Sequence, residues 1–149
     1  MIIEKTSIIG IALKTTNANA QAASDIPTLW QRFLSEAVAA RIPNKLDDRI
    51  FSVYTDYEGD YTQPYTLLLG CAVPTLDNIP KGMIGKTFPT GAYQHFIAAG
   101  NLAEGIVYQV WERIWNSDIS RAYTADYEIY GEKAQNSENA EVDIYIALQ

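Results

Sequence analysis

Two octets in the chain place a carboxylate among tyrosines: YTDYEGDY at residues 54–61 and YTADYEIY at residues 123–130. A carboxylate beside aromatic rings can hold an organic cation, because both the negative charge and the ring faces attract it. A glutamate paired with a second acid could instead act as a general acid and base in a hydrolysis. The candidate residues for this chemistry are Glu58 and Glu128.

The residues around the two glutamates predict different positions for them. Gly59 and Asp60 are turn residues, so Glu58 is expected at or beside a loop. No turn residue follows Glu128 until Gly131, so Glu128 is expected inside a strand. When the two hairpins are aligned on their strands, Tyr54 and Tyr130 correspond and the two glutamates do not.

The residue pattern alone leaves two interpretations of Glu128 open. Asp126, Glu128 and Tyr130 alternate with Tyr127 and Ile129, which also fits a strand whose charged residues face water. The functional interpretation places Glu128 in an aromatic cleft, where a bound cation would offset the cost of burying its charge.

The composition narrows the class of partner. The chain has 149 residues, a net charge of -7, ten tyrosines, four phenylalanines and three tryptophans. The acidic balance disfavours nucleic acid and anionic membrane surfaces, and favours cationic partners. The tyrosine excess fits either a lined cavity or a half-wet interface.

Cys71, the single cysteine, lies in the apolar run LLLGCAV and is expected to be a small buried residue in a cytoplasmic protein.

The order of predicted elements repeats along the chain. Residues 3–15 favour a strand, residues 25–42 favour an amphipathic helix capped by Asp25, and residues 49–57 and 64–73 favour a hairpin. A strand over 83–100, interrupted or bent at Pro89 to Gly91, is followed by a helix after Asn101 and two more strands, which repeats this order. The prediction is an α+β fold in one domain over 1–149. Its duplicated strand-helix-strand-strand units, residues 1–74 and 82–149, form a mostly antiparallel sheet with two main helices and a central cleft.

The chain resembles the GyrI-like or AraC-type effector-binding domains of bacteria over essentially its whole length. The segments that carry the resemblance are DIPTLWQRF, YTDYEGDYTQPYTLLLGCAV, IPKGMIGKTFPTGAYQHFIAAG, and VWERIW followed by DYEIY. The resemblance implies a cleft between the two halves that binds a small lipophilic organic cation, with Glu128 as the functional glutamate. It also implies aromatic walls from the helices and neighbouring strands, at Trp30, Tyr54, Tyr93, Trp111 and Tyr130.

The resemblance also bears on partners. Members of this family usually carry a helix-turn-helix head, whereas this chain begins directly with the first strand and resembles a stand-alone version carried on mobile gene cassettes. Direct DNA binding is therefore not expected, although a separate regulator or gyrase is a possible partner. Two alternatives come from other classes: hydrolysis of reactive small molecules, by Glu128 with Glu141 or Asp143 as second acid, and a protein-binding module that inhibits gyrase through a surface and not a cleft.

Metal and cofactor sites are not expected. His95 is the only histidine, and no cluster of histidines and thiolates has the spacing of a metal site. A lone strand histidine is more often packed or hydrogen-bonded than a ligand, and haem ligation by His95 has no further support in the sequence.

Overall fold

The computed structural model describes residues 1–149, which form eight strands and three α-helices. The helices are α1 (Gln21–Ser35), α2 (Val38–Arg41) and α3 (Ile106–Trp115). None of them combines the length and the hydropathy needed to cross a bilayer. The strands are β1 (Ile2–Ile3), β2 (Thr6–Thr15), β3 (Ile50–Thr55), β4 (Tyr65–Val73), β5 (Ile84–Phe88), β6 (Gly91–Gly100), β7 (Ala125–Tyr130) and β8 (Ala140–Ala147).

All eight strands belong to one antiparallel sheet with the order β1-β6-β8-β7-β3-β4-β2-β5. The inner six strands are arranged symmetrically about the centre of the sheet. From the centre outward, one side has the order β7, β8, β6, and the other side has the order β3, β4, β2. The two halves join where β3 pairs with β7. This architecture confirms the predicted α+β fold with a duplicated unit and a mostly antiparallel sheet.

The sheet is strongly curled. Strands β5 and β6 lie near opposite ends of the strand order, yet only Pro89 and Thr90 connect them. A short connection of this kind requires the two ends of the sheet to approach each other. The ring of Tyr127 in β7 accordingly lies 5.7 Å from that of Phe88 in β5 and 5.5 Å from that of Tyr93 in β6. The side chains on one face of the sheet therefore pack against one another inside the curl and form a core there.

The two long helices cover the other face. Leu29 and Phe33 of α1 pack in a core cluster with residues of β2 and β4. Val110 and Ile114 of α3 pack in another cluster with residues of β6 and β8. Tyr54 of β3 contacts both clusters, so the space between the helices lies over the seam of the sheet.

The first helix differs from its predicted form at both ends. It begins at Gln21 and not at Asp25, whose carboxylate accepts hydrogen bonds from Thr15 Oγ1 (2.7 Å) and Gln21 Nε2 (3.0 Å). It ends at Ser35 because Ala37 has φ of 50°, a left-handed conformation that interrupts the helix before α2. The spacing of apolar residues showed the helix, and these local backbone and side-chain interactions set its ends.

A close approach of backbone occurs where Gly10 of β2 faces Gly70 of β4. A Cβ atom on Gly10 would lie far inside the contact distance of the Leu69 carbonyl oxygen, which is backbone and cannot swing away. We expect Gly10→Ala to lower the free energy of unfolding by about 1 to 3 kcal/mol, measured by urea denaturation. Gly91→Ala is the control, because its Cβ would meet only Tyr93 at 3.6 Å. Equal losses from the two variants would contradict the prediction.

Candidate functional site

A cleft of about 580 Å³ lies over the β3–β7 seam, between α1 and α3. Fourteen of its 18 lining residues are hydrophobic, and nine of the 18 carry aromatic rings. Such a mostly apolar, concave space with a few polar groups is typical of a small-molecule site. The aromatic lining residues are Trp30, Tyr54, Tyr57, Tyr61, Tyr65, Tyr108, Trp111, Trp115 and Tyr130.

Glu128 provides a buried carboxylate in this aromatic wall. It lies in β7 and is 2% exposed. Its Oε2 accepts hydrogen bonds from the Tyr54 hydroxyl and the Trp111 indole Nε1, both at 2.7 Å. Its Oε1 accepts a hydrogen bond from the Tyr130 hydroxyl, also at 2.7 Å. Three elements, β3, α3 and β7, therefore hold this carboxylate in place.

All three donors to Glu128 are neutral, so its negative charge has no ionic partner. Burial raises the pKa of Glu128, and the hydrogen bonds from Tyr130, Tyr54 and Trp111 oppose this effect. The hydrogen bonds orient the carboxylate and reduce the cost of ionisation without cancelling the charge. Glu128 is thus suited to receive a positive charge from a ligand.

The neighbouring carboxylate on the same face of β7 is arranged differently. Asp126 is fully buried, and its Oδ2 accepts hydrogen bonds from Arg121 Nη2 at 2.9 Å and from the Tyr57 hydroxyl at 2.6 Å. Its Oδ1 accepts from the backbone N–H of Ala147 at 2.9 Å. Because the positive charge of Arg121 compensates the negative charge of Asp126, the net negative charge of the cleft belongs to Glu128.

The two octets are not equivalent in the structure. Glu128 pairs across the seam with Ser52, and Tyr130 and Tyr54 each lie two residues further along their own strands. This register agrees with the alignment of Tyr54 with Tyr130, and it makes Ser52 the counterpart of Glu128. Glu58 lies in the loop after β3, is exposed, and forms an ion pair with Lys14.

The structure brings together five of the six residues that the resemblance indicated. Trp30, Tyr54, Trp111, Glu128 and Tyr130 all line the cleft. Tyr93 does not, because its ring packs with that of Tyr127 in the core on the other face of the sheet. Tyr127 and Glu128 are consecutive in β7, and consecutive strand residues point to opposite faces.

The acids proposed as partners of Glu128 in a hydrolysis also lie elsewhere. Glu128 pairs with Ile144 of β8 and shares its face, so Asp143 and Glu141 belong to the opposite face. Glu141 is exposed and forms an ion pair with Lys133. Asp143 Oδ1 lies 2.8 Å from Nε2 of His95, whose ring stacks on Tyr145. His95 is thus a hydrogen-bonded residue on the same face of the sheet as Tyr93 and Tyr127, away from the cleft. Cys71 is buried, and burial raises its pKa to about 11.

Several cleft residues were not indicated by the sequence. Tyr57, Tyr61 and Tyr65 line the cleft from the β3–β4 loop and the start of β4. The rings of Tyr61 and Trp115 are stacked with centroids 5.6 Å apart, which joins this loop to the end of α3. The high density of tyrosines in residues 54–65 is the sequence feature from which these cleft residues could have been predicted. Arg121, between α3 and β7, follows no periodic pattern that would mark it.

Comparisons with known proteins agree with this architecture. The Vibrio cholerae integron cassette protein VCH_CASS2 superimposes with a TM-score of 0.78 at 27% identity, covering 100% of this chain and 94% of that one. The structure of SAV2435 bound to tetraphenylphosphonium superimposes with a TM-score of 0.82 at 20% identity, covering 100% of this chain and 92% of that one. YobU of Bacillus subtilis strain 168, described as a candidate transcriptional regulator, is 28% identical over 144 residues, which are 94% of this chain and 90% of YobU.

The family assignment rests on the whole chain. The family model described as Cass2, integron-associated effector binding protein, matches residues 2–148. This match and the solved structures confirm the resemblance to effector-binding domains that the sequence motifs indicated. The chain belongs to the Cass2 family of integron-associated effector binding proteins.

Proposed function

We propose that the protein binds a small lipophilic organic cation in the cleft, with Glu128 as the counter-charge. The observation that carries the proposal is the buried carboxylate of Glu128, which has three neutral hydrogen-bond donors and no cationic partner. A cation with apolar substituents would compensate this charge and fill the aromatic space around it.

The expected affinity follows from general magnitudes. A cation against an aromatic face gains ~0.5 to 2 kcal/mol per ring, depending on how far the contact is desolvated. Tyr54, Trp111 and Tyr130 surround Glu128, so one bound cation can contact several rings. With charge pairing and burial of the ligand's apolar surface, these contacts can reach the roughly -8 kcal/mol of a micromolar complex.

Relatives supply a suitable probe and a biological context. SAV2435, which shares the fold, was solved in complex with tetraphenylphosphonium, a lipophilic cation. The description of YobU as a candidate transcriptional regulator favours a signalling role for the bound effector. We propose a cytoplasmic effector-binding module whose partner is the small molecule, with a separate regulator as the receiver of the signal.

The charge requirement can be tested with two ions of nearly the same shape. Tetraphenylphosphonium and tetraphenylborate both carry four phenyl groups around a central atom, but their charges are opposite. We expect isothermal titration calorimetry to give a micromolar Kd for the phosphonium and no measurable binding of the borate. Comparable affinities would show that the cleft selects shape alone, and absence of phosphonium binding would overturn the proposed function.

A second test uses the raised pKa of Glu128. Only the ionised carboxylate attracts a cation, so the affinity for tetraphenylphosphonium should fall as the pH falls through that pKa, which lies above the ordinary 4.5. Well below it, the affinity should level off near that of Glu128→Gln, because the protonated carboxyl and the amide are both uncharged. The contribution of Glu128 to the stability of the free protein should change in the opposite direction: burial favours its protonated form, so this contribution to the free energy of unfolding rises as the pH falls.

Glu128→Gln is the control for this titration, because it has no carboxylate to protonate at that position. The residual affinity of the variant should be independent of pH over the same interval. A variant that retains the full pH dependence would assign the effect to another acid.

A further inference from the structure

Strand β6 has an unpaired edge over most of its length. On one side it pairs with β8 along residues 93–100, but on the other side β1 pairs only with residues 91 and 92. The part of β6 beyond β1 therefore has a neighbouring strand on one side only. An open strand edge of this kind presents N–H and C=O groups that can pair with another chain.

The direction of the free backbone groups follows from a hydrogen bond at the end of β1. The N–H of Tyr93 donates to the carbonyl oxygen of Met1, so Tyr93 directs its backbone groups toward this edge. In an antiparallel ladder every second residue faces the same side. The backbone groups of His95, Ile97 and Ala99 therefore point outward as well. Ile97 is 51% exposed and Ala99 is exposed too, so a partner can reach this edge.

Strand β6 lacks the features that usually protect an open edge. The common ones are a lysine, a proline, a bulge or a very short strand. Strand β5, at the other end of the strand order, is only five residues long and has Lys86 at its centre. Strand β6 is ten residues long, its sequence GAYQHFIAAG contains no lysine or proline, and its register with β8 is unbroken. Of the two edge strands, β6 is thus the one that can accept a further strand.

A groove of about 690 Å³ lies between this edge and α3. Residues 97–99 of β6 line one side of it, and four exposed polar residues of α3 line the other. We call these four the polar stripe: Gln109, Glu112, Arg113 and Asn116. Their spacing places them on one face of the helix. A strand added to the β6 edge would therefore lie beside the polar stripe.

The charges of the polar stripe are self-complementary. Glu112 and Arg113 are neighbours of opposite sign, and neither belongs to an ion pair within the chain. When two copies are related by a two-fold axis at the β6 edge, their α3 helices run antiparallel, so Glu112 can face the partner's Arg113 and the reverse. Gln109 and Asn116 lie symmetrically about this pair and would face each other in the same way. The stripe therefore favours a second copy of this chain over an unrelated strand.

We propose that two copies of the chain associate through the β6 edge, in an antiparallel pairing centred on Ile97. In this register Ile97 lies opposite the partner's Ile97, and His95 lies opposite the partner's Ala99. Directly opposed residues of this kind exchange both of their backbone hydrogen bonds, which satisfies groups that the single chain leaves unpaired. The two exposed Ile97 side chains also cover each other. The sheets of the two copies become one continuous sheet.

Sedimentation velocity of the full chain tests this pairing. We expect the native protein to sediment as a dimer at about 100 µM, well above a Kd of micromolar order. Ile97→Lys places two like charges opposite each other at the centre of the interface, so it should weaken association by about tenfold or more. Ile84→Lys is the matched control and should keep the dimer, because Ile84 is an exposed isoleucine of the other edge strand, β5. A monomeric native protein, or equal losses from the two variants, would overturn the proposal.

A charge exchange tests whether the partner is a second copy in the two-fold arrangement. Arg113→Glu gives each stripe two acids, and Glu112→Arg gives each stripe two bases, so either variant should weaken association by about tenfold. The double variant Glu112→Arg/Arg113→Glu restores opposite charges in the reverse order, and its Kd should return to within about threefold of the native value. A double variant as weak as the single variants would contradict the two-fold pairing.

Hydrogen exchange followed by NMR needs no variant. The amide of Ile97 should exchange more slowly in concentrated than in dilute samples, because it is protected only in the dimer. The amide of Ala98, which is directed to β8, should be protected equally in both. Equal exchange of Ile97 at the two concentrations would contradict the proposal. Ile97 is not a cleft residue, so Ile97→Lys should bind tetraphenylphosphonium with the native Kd, and failure of this inference leaves the proposed function standing.

Discussion

Replacing Glu128 by glutamine is expected to weaken the binding of tetraphenylphosphonium by tenfold or more, measured by calorimetry at neutral pH. The amide keeps the shape of the side chain and removes its charge. Its oxygen can still accept from Tyr54 and Trp111, and its NH₂ group can donate to the Tyr130 hydroxyl oxygen, so a hydrogen bond to each of the three partners is kept. The loss therefore reports the charge, at ~1.4 kcal/mol for each factor of ten.

The free protein should tolerate this change. Burial raises the pKa of Glu128, which means that ionising it costs free energy in the folded state. Removing the charge is expected to leave the free energy of unfolding unchanged or higher at neutral pH. A variant that loses stability along with affinity would mean that the carboxylate is mainly a structural acceptor.

Glu58→Gln is the matched control from the other octet. Glu58 is exposed, its ion pair with Lys14 is at the surface, and it is not among the cleft residues. Solvent and salt screen a charge at such a position, so the affinity should stay nearly unchanged. Equal losses from Glu58→Gln and Glu128→Gln would make the octets functional equivalents, and a loss from Glu58→Gln alone would move the site.

The elements of the fold could be predicted from local sequence patterns. Strict alternation in EVDIYIAL indicated β8, and apolar residues at helical spacing indicated α1 and α3. The pairing of β3 with β7 could not be derived in the same way, because the paired residues are 70 to 80 positions apart in the chain. Local patterns specify the period of a segment and not its neighbour in the sheet. The repeated order of elements nevertheless indicated a seam between the halves.

The site was predictable where a residue belongs to a regular element and its resemblance to the family is strong. Glu128 and Tyr130 lie in a strand with clear alternation, and Trp111 lies on a helix with a clear apolar face. Tyr93 was indicated only by the resemblance, and it does not line the cleft because its side of β6 faces the core inside the curled sheet. Arg121 was missed because its partner Asp126 becomes a neighbour only through the turn before β7.

The pairing of Arg121 with Asp126 should make Arg121→Met one of the most destabilising substitutions in the chain. Removing the guanidinium leaves Asp126 fully buried with no cationic partner, a situation that typically costs ~3 to 5 kcal/mol. In a protein of this size each kcal/mol lowers Tm by about 2 to 4 °C. We therefore expect a decrease in Tm of about 10 °C or more by differential scanning calorimetry.

A second substitution should reverse most of that loss. In Arg121→Met/Asp126→Asn the asparagine oxygen can still accept from the backbone N–H of Ala147, and its NH₂ group can donate to the Tyr57 hydroxyl. Both buried charges are then absent, and the unpaired donors at Nε and Nη1 of Arg121 are absent too. Since uncharged replacements of buried ion pairs are often neutral or stabilising, we expect the double variant to lie within about 1 kcal/mol of the native protein. A double variant as unstable as Arg121→Met would show that the guanidinium stabilises the fold through its contacts with Tyr57, Trp111 and Tyr123, and not through Asp126.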